Sequence, residues 1–297
     1  MKKSLVALAV LAASGAAMAQ SSVTLYGVAD VSVAKATGGK FALSANGLLN
    51  NGNSRWGLRG TEDLGGGLKA SFNYEAAVNL GTGAADANYF QRNAWLAVSG
   101  DFGEVKAGRG LSPHFFAIAN YELTGTANYT ALGNLFGFGG ETRNNSFIAY
   151  TTPKMGGFKA TVGTRLSGNN GTLGAKYELN ATYNAGPLAV GFGYDKTGSA
   201  NNKSIGAAYD LGQFVVAASF QDPNGAKKGF TIGGTARLGT NSVTLDIARD
   251  TGSAVKSTDY VFEAKEPLSK RTFLYQAIHR DGSAKVTTFG AGIRHHF

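Results

Sequence analysis

Cysteine is absent from the 297-residue chain, proline occurs five times, and charged residues make up only 16%. The first absence excludes a disulfide scaffold and a zinc site built on thiolates. Charge falls well below the ~25% of an ordinary soluble domain. Hydrophobic residues nonetheless reach 43%, so the composition is not that of a disordered chain. A run of about 18 apolar residues is also missing, which excludes a spanning helix. Histidine occurs only at His114, His279, His295 and His296, none of them in an HExxH pattern or beside a nucleophile at a diagnostic spacing. Walker loop, dinucleotide fingerprint and EF-hand are lacking, as is a long amphipathic helical pattern after the first 20 residues. Nothing in this inventory implies a cofactor, a bound metal or covalent chemistry.

What is abundant is glycine, 43 residues, or about one in seven against the usual ~7%. Aromatic residues are plentiful too, with 18 Phe, 12 Tyr and 2 Trp. The first 19 residues read as an export signal: Lys2 and Lys3 form a basic start, Leu5 to Ala13 an apolar run, and Ala17-Met18-Ala19 a cleavage site. The expected mature chain is a single domain over residues 20–297. It would enter an oxidising compartment without disulfides, so something other than crosslinks must hold it together.

From residue 20 onward the dominant period is two. Ala70, Phe72, Tyr74, Ala76, Val78 and Leu80 alternate with Lys69, Ser71, Asn73, Glu75 and Asn79. Segments 158–166, 173–184 and 230–238 alternate in the same way. Such strands bury one side and wet the other. Short connections such as Asp63-Leu64-Gly65-Gly66, Asp101-Phe102-Gly103, Ala185-Gly186-Pro187 and Leu238-Gly239-Thr240-Asn241 take turns with longer polar ones. The latter fall around 36–53, 81–88, 111–143, 168–172, 197–202, 222–228, 251–257 and 281–284. Seven tight turns and eight longer loops join sixteen strands, at about 17 residues per strand plus connection. A membrane-crossing strand needs ~9–11 residues, so the length fits. A soluble β-sandwich also alternates, but sixteen apolar faces would overfill one shared core, whereas a bilayer can cover them all. The pattern therefore predicts an all-β fold, a 16-stranded antiparallel transmembrane β-barrel in the outer membrane of a Gram-negative bacterium.

Val23-Thr-Leu-Tyr-Gly27, the stretch from Ser54 through Arg55-Trp56-Gly57 to Leu68, Phe102-Gly-Glu-Val-Lys-Ala-Gly-Arg109 and Arg143-Asn-Asn-Ser146 resemble the general porins of β-proteobacteria. The ending Gly292-Ile-Arg-His-His-Phe297 is similar to that family's C-terminus. The resemblance runs the whole mature chain, which is short for the family and so has trimmed outer loops. It implies a water-filled channel for passive diffusion of small hydrophilic solutes, a homotrimer, and a long third external loop folded into the lumen. That loop corresponds to residues 111–143. Its apolar residues, Phe115, Phe116, Tyr121, Tyr129, Leu132, Leu135 and Phe136 among them, would form an unusual patch on an exposed flap. The terminal Phe297, with Phe289 and Ile293 on the same face, resembles the signal read by the outer-membrane assembly machinery, and equally suits an aromatic girdle at the lipid interface.

The wet faces of the clean strands carry Lys69, Lys159, Arg165, Lys176 and Arg237 against Glu75 and Glu178. Arg55 and Arg59 share a face in the second strand, with Trp56 and Leu58 opposite. The resemblance places Arg55, Arg92 and Arg143 in a basic cluster at the constriction, with Arg59, Lys69 and Lys106 as neighbours. Asp30, Glu75 and Asp246 are expected to face the lumen and anchor this wall by ion pairs. The loop contributes two acids, Glu122 and Glu141. Excess fixed positive charge in a narrow passage concentrates anions, so the expected pore is anion-selective and also admits neutral solutes. The depths of Arg109, Lys176 and Arg237 stay open. So do two other readings, a substrate-specific channel for phosphate or organic acids and an outer-membrane barrel enzyme. Partners other than solutes would be outer-membrane lipid and lipopolysaccharide. Nucleic acid is excluded by the export signal and the interleaved charges, despite a sequence pI of about 9.6.

Overall fold

The computed structural model describes residues 22–169 and 174–297. The expected leader, residues 1–19, and part of the loop expected at 168–172 lie outside them. In chain order the first strands are β1 (Ser22–Ala36), β2 (Ala42–Ser44), β3 (Arg55–Gly65), β4 (Leu68–Ala77), β5 (Asn93–Gly100) and β6 (Gly103–Leu111). Two short helices follow, α1 (Pro113–Ala119) and α2 (Ala131–Phe136). Then come β7 (Arg143–Thr151), β8 (Phe158–Arg165), β9 (Lys176–Ala185), β10 (Leu188–Thr197) and β11 (Ala200–Asp210). The wall is completed by β12 (Phe214–Asp222), β13 (Gly229–Leu238), β14 (Asn241–Asp250), β15 (Thr258–Pro267), β16 (Thr272–Asp281) and β17 (Val286–His296).

Each strand pairs antiparallel with its neighbour, and β1 pairs with β17 from Val28↔His296 to Ala36↔Thr288. The result is a closed 16-stranded barrel. The seventeenth strand, β2, is three residues of the first long loop. It continues the edge of β1 at Ser32–Ala34, above the point where β3 leaves off at Val28↔Arg55. Closure matters because lipid offers no hydrogen bonds, so every wall amide must find its partner on a neighbouring strand.

The alternation read from the sequence is realised as an inverted burial pattern. Leu25, Leu96, Ile205, Ile232 and Leu245 are about half exposed on the outside, while Asp30, Ser204, Thr244 and Glu263 are buried inside. A bilayer covers the first set and the lumen contents cover the second. Among the described residues no helix is long and apolar enough to cross a membrane. The tight turns use the expected chemistry: Asp63 accepts from the Gly65 amide at 2.8 Å and Asp210 from the Gly212 amide at 2.9 Å. Two boundaries differ from the pattern. The alternation of Val78 and Leu80 continues past the end of β4 at Ala77, where Val78 still bonds the Ser54 carbonyl in register with β3 and then bridges to Ala85 in the loop. The expected 197–202 loop shrinks to Gly198-Ser199, with Gly198 at φ 58° closing a tight turn.

At the closure seam the Gly27 and Phe297 backbones exchange two hydrogen bonds of 3.1 Å. The Phe297 ring lies where a Cβ at residue 27 would stand, and the Arg55 carbonyl crowds the same point. Gly27→Leu should therefore cost about 1–3 kcal/mol of overpacking at the seam. The check is the temperature at which the folded band converts to the unfolded one in a semi-native gel. It should fall for G27L and stay put for a leucine at Gly168, which has open space around it and no left-handed backbone.

Candidate functional site

The segment between β6 and β7 does not hang outside the barrel. Ser112 caps α1 by accepting from the Phe115 amide at 3.1 Å, and Pro113 starts the helix where its missing N–H costs nothing. The helix packs against β8 to β11 and α2 against β14 to β16, both within the lumen. Between them Glu122 accepts from the Thr124 and Thr126 amides and from the Thr124 and Thr130 hydroxyls, so it fixes the loop's own bend. Leu49, Tyr129, Leu135 and Phe136 form an internal apolar core with Ala248, Val261 and Tyr275 of the wall.

Polar fastenings do the rest. Fully buried Tyr129 donates to Glu263 Oε2 at 2.5 Å and accepts from Asn51 at 2.8 Å. Burial and the Glu263 carboxylate push its phenol well above the ordinary tyrosine range, so it remains a donor. Lys265 Nζ donates to the Thr124 carbonyl at 3.0 Å, and Asn180 to that of Pro113 at 2.8 Å. His114 Nδ1 lies 2.6 Å from Asp195 Oδ2 and its Nε2 2.8 Å from Ser204 Oγ, both at hydrogen-bond distance. That order, carboxylate to imidazole to hydroxyl, is the one hydrolases use. Here all three residues are at most 2% exposed, and the imidazole is packed against the backbones of Gly139 and Gly193. A solute has no path to the Ser204 hydroxyl, and the trio serves to bolt α1 to β10 and β11. Local spacing could not reveal it, because the partners lie 81 and 90 residues from His114.

With the loop held against β8 to β16, the other side of the lumen is left to the basic residues. Glu75 on β4 is their pivot. It pairs with Arg92 Nε at 2.7 Å and Arg55 Nε at 3.5 Å, and accepts from Tyr26 at 2.9 Å and Asn93 at 3.2 Å. Arg143 joins by donating Nε to the Arg92 carbonyl at 3.0 Å. Two guanidiniums thus pair with one carboxylate, and a third is tied to them through the Arg92 carbonyl. Arg294 stands next to them on β17, bonded to Asn51 at 3.0 Å and 3.7 Å from Asp30. Asp246, expected to anchor the wall, takes no ion pair among the described residues, and its charged neighbour is Glu122. Glu141 pairs with Arg165. Neither loop acid is paired with the arginine cluster among the described residues.

The remaining bases spread along the wall. Arg59 lies 4.8 Å from the Tyr26 ring centroid and lines a cavity of about 340 Å³ with Thr24, Thr61, Ser71 and Trp95. Lys106 sits 4.6 Å over the Trp95 ring and 2.9 Å from Glu104, at a second cavity of about 430 Å³. Asn73 and Trp95 border both cavities, so the two are neighbours on the lumen wall. Lys69 faces inward but at the turn end of β4, opposite Asp63 and Ser99. It is six residues from Glu75, roughly 20 Å along the strand, and so stands apart from the cluster. Arg109 bonds the Gln91 carbonyl and Asn145 at the loop end of β6. Lys176 is held by Glu178 at 2.8 Å, and Arg237 by Asp210 at 2.7 Å beside a tight turn. Phe297, Phe289 and Ile293 are each about half exposed on the outer surface.

A closed barrel with a charged lumen narrowed by an inward loop is an outer-membrane diffusion channel. Residues 4–284 match the model of the Gram-negative porin family, and the chain belongs to that family. It is 37% identical to outer membrane porin protein 32 of Delftia acidovorans over 285 residues, covering 90% of this chain and 76% of the relative. It is 30% identical to an outer membrane porin protein of Bordetella pertussis, across the whole of both chains. Among solved structures, the anion-selective porin from Comamonas acidovorans superposes with a TM-score of 0.79 at 30% identity, covering 94% of this chain and 100% of that one. The protein is therefore a porin of the Gram-negative outer membrane.

Replacing His114 by leucine removes the bolt and leaves buried Asp195 without its imidazole partner, a loss of about 1–3 kcal/mol. The loop should then move. Planar-bilayer recordings of H114L should show noisier open-channel current than the parent, with an unfolding temperature several degrees lower.

Proposed function

We propose that this porin passes small anions in preference to cations while admitting neutral hydrophilic solutes. The observation that carries the reading is a cluster of Arg55 and Arg92 on the single carboxylate of Glu75, with Arg143 bonded to the Arg92 carbonyl and Arg294 beside them. A narrow passage bearing net positive charge raises the local concentration of anions and repels cations over about the ~8 Å Debye length of physiological salt. Arginine suits the task because it stays charged and is weakly hydrated, so a passing anion can shed water against it. Neither loop acid is paired with the cluster among the described residues: Glu122 is turned into the loop's own bend by threonine hydroxyls and amides, and Glu141 pairs with Arg165. Arg59 and Lys106 extend the positive wall below the narrowing. The described anion selectivity of the Comamonas structure supports the same reading.

The working form is a homotrimer in outer-membrane lipid and lipopolysaccharide. The Vibrio cholerae protein OmpT, which shares this fold with a TM-score of 0.69, is described in a trimer form. The outward row of Phe289, Ile293 and Phe297 is the stripe presented to the assembly machinery during insertion, and an aromatic anchor at the lipid boundary afterwards.

The double variant Arg55→Gln, Arg92→Gln removes two charges from the cluster and exposes Glu75. Its chloride-to-potassium permeability ratio should fall about fivefold or more, since each unit charge is worth about 1 kcal/mol at 4 Å even in water. The Arg55→Lys, Arg92→Lys pair should keep the anion preference. An unchanged ratio in a correctly folded glutamine double variant would contradict the reading.

A further inference from the structure

One part of the lumen does not match a passage for small inorganic ions. The inward faces of a porin wall are ordinarily polar. The cavity of about 430 Å³ below the arginine cluster instead brings together Trp95, Phe116 and Phe147, with Lys106 and Lys159 at the same cavity. Trp95 shares the lumen face of β5 with Asn93, and Phe116 projects from α1 with 48% of its surface exposed. Phe116 is not a loose side chain. Phe115 meets it edge-on at 5.8 Å and is itself 5.3 Å from Phe138, so one flank of the Phe116 ring is fixed while the rest faces the cavity.

The charges are placed to match. Lys106 carries its ammonium over the Trp95 ring at 4.6 Å and is partly neutralised by Glu104 at 2.9 Å. Lys159 is exposed at the β8 side of the cavity, two strands along the wall from Lys106, with no ion pair among those of the described residues. The volume lies within the ~300–1,000 Å³ typical of small-molecule sites, and aromatic rings set among charged and amide groups such as Asn73, Asn120 and Asn180 suit a solute with both a ring and a charge. A hydrated chloride or phosphate gains nothing from the exposed ring. A solute with a flat apolar body and one carboxylate gains from both features.

We propose that this cavity is a binding subsite for aromatic carboxylates of the benzoate type. The ring packs on Phe116 and the indole of Trp95, and the carboxylate turns toward Lys106 and Lys159. Asn73 and Trp95 border both this subsite and the cavity lined by Arg59, so a solute held here lies beside the basic wall of the lumen. The proposal rests on the reading that anions enter this lumen, and extends it from charge selection to recognition of a solute class.

The test uses the purified full-length protein in a planar bilayer, with chloride current recorded while potassium benzoate or potassium acetate is added at constant ionic strength. Benzoate should reduce the current saturably, and acetate at the same concentrations should not. Phe116→Leu keeps the apolar bulk but removes the ring, and should raise the benzoate half-block concentration about threefold to tenfold. Lys159→Gln should raise it too, whereas Glu104→Gln frees Lys106 and should lower it. Equal effects of benzoate and acetate, or no change in the half-block concentration in Phe116→Leu, would overturn the proposal. Zero-current potential on the same channels without benzoate separates the two readings. A chloride-signed potential with no benzoate block removes the subsite alone, and a potassium-signed potential removes the anion preference beneath it.

Discussion

The antiparallel ladder between β1 and β17 is the contact on which everything else in this molecule depends. A bilayer supplies no hydrogen-bond partners, so a sheet that stayed open would leave two rows of amides and carbonyls bare in lipid. Closing the sheet satisfies them and also explains the composition. Without a conventional core to staple, cysteine has no task, and the apolar half of each strand can face outward at no cost. Glycine admits the close approaches that closure requires, as at Gly27 under the Phe297 ring. The interior is thereby freed to hold charge, which a packed soluble core could not do cheaply.

That interior is divided into a fixed side and a conducting side. The loop between β6 and β7 is pressed onto β8 to β16 by Tyr129, His114, Tyr121 and Lys265, each fastened to a wall residue or holding the loop backbone. The remaining arc carries the arginines. Glu75 is the balance point, with enough negative charge to let Arg55, Arg92 and Arg143 gather but too little to cancel them. Both loop acids are directed to other partners, Glu122 to the loop's own threonines and Glu141 to Arg165, and neither pairs with the arginine cluster among the described residues.

Much of the fold was legible in the chain because a barrel strand has the simplest of periods. Alternation gave the face of each residue, and Asp-Leu-Gly or Ala-Gly-Pro steps marked the tight turns. The bounds of the long loop fell at Leu111 and Arg143, where β6 ends and β7 begins. Parity reveals the face but not the height, however. Lys69 faces the lumen as expected yet sits at the turn end, because depth depends on how far strands are staggered. Arg237 likewise faces a turn, held by Asp210. The β2 segment could not be read from three residues, and the His114–Asp195–Ser204 bolt could not be read at all. Its members meet only after the loop has folded inward and β10 and β11 have paired.

The central claim is that fixed positive charge in the narrowing selects the ions that pass. The most direct measurement is the zero-current potential of the purified wild-type porin in a planar bilayer under a potassium chloride gradient. A potential signed for chloride, shrinking as salt is raised and the cluster is screened, is the predicted result. A potential near zero, or one signed for potassium, would contradict it.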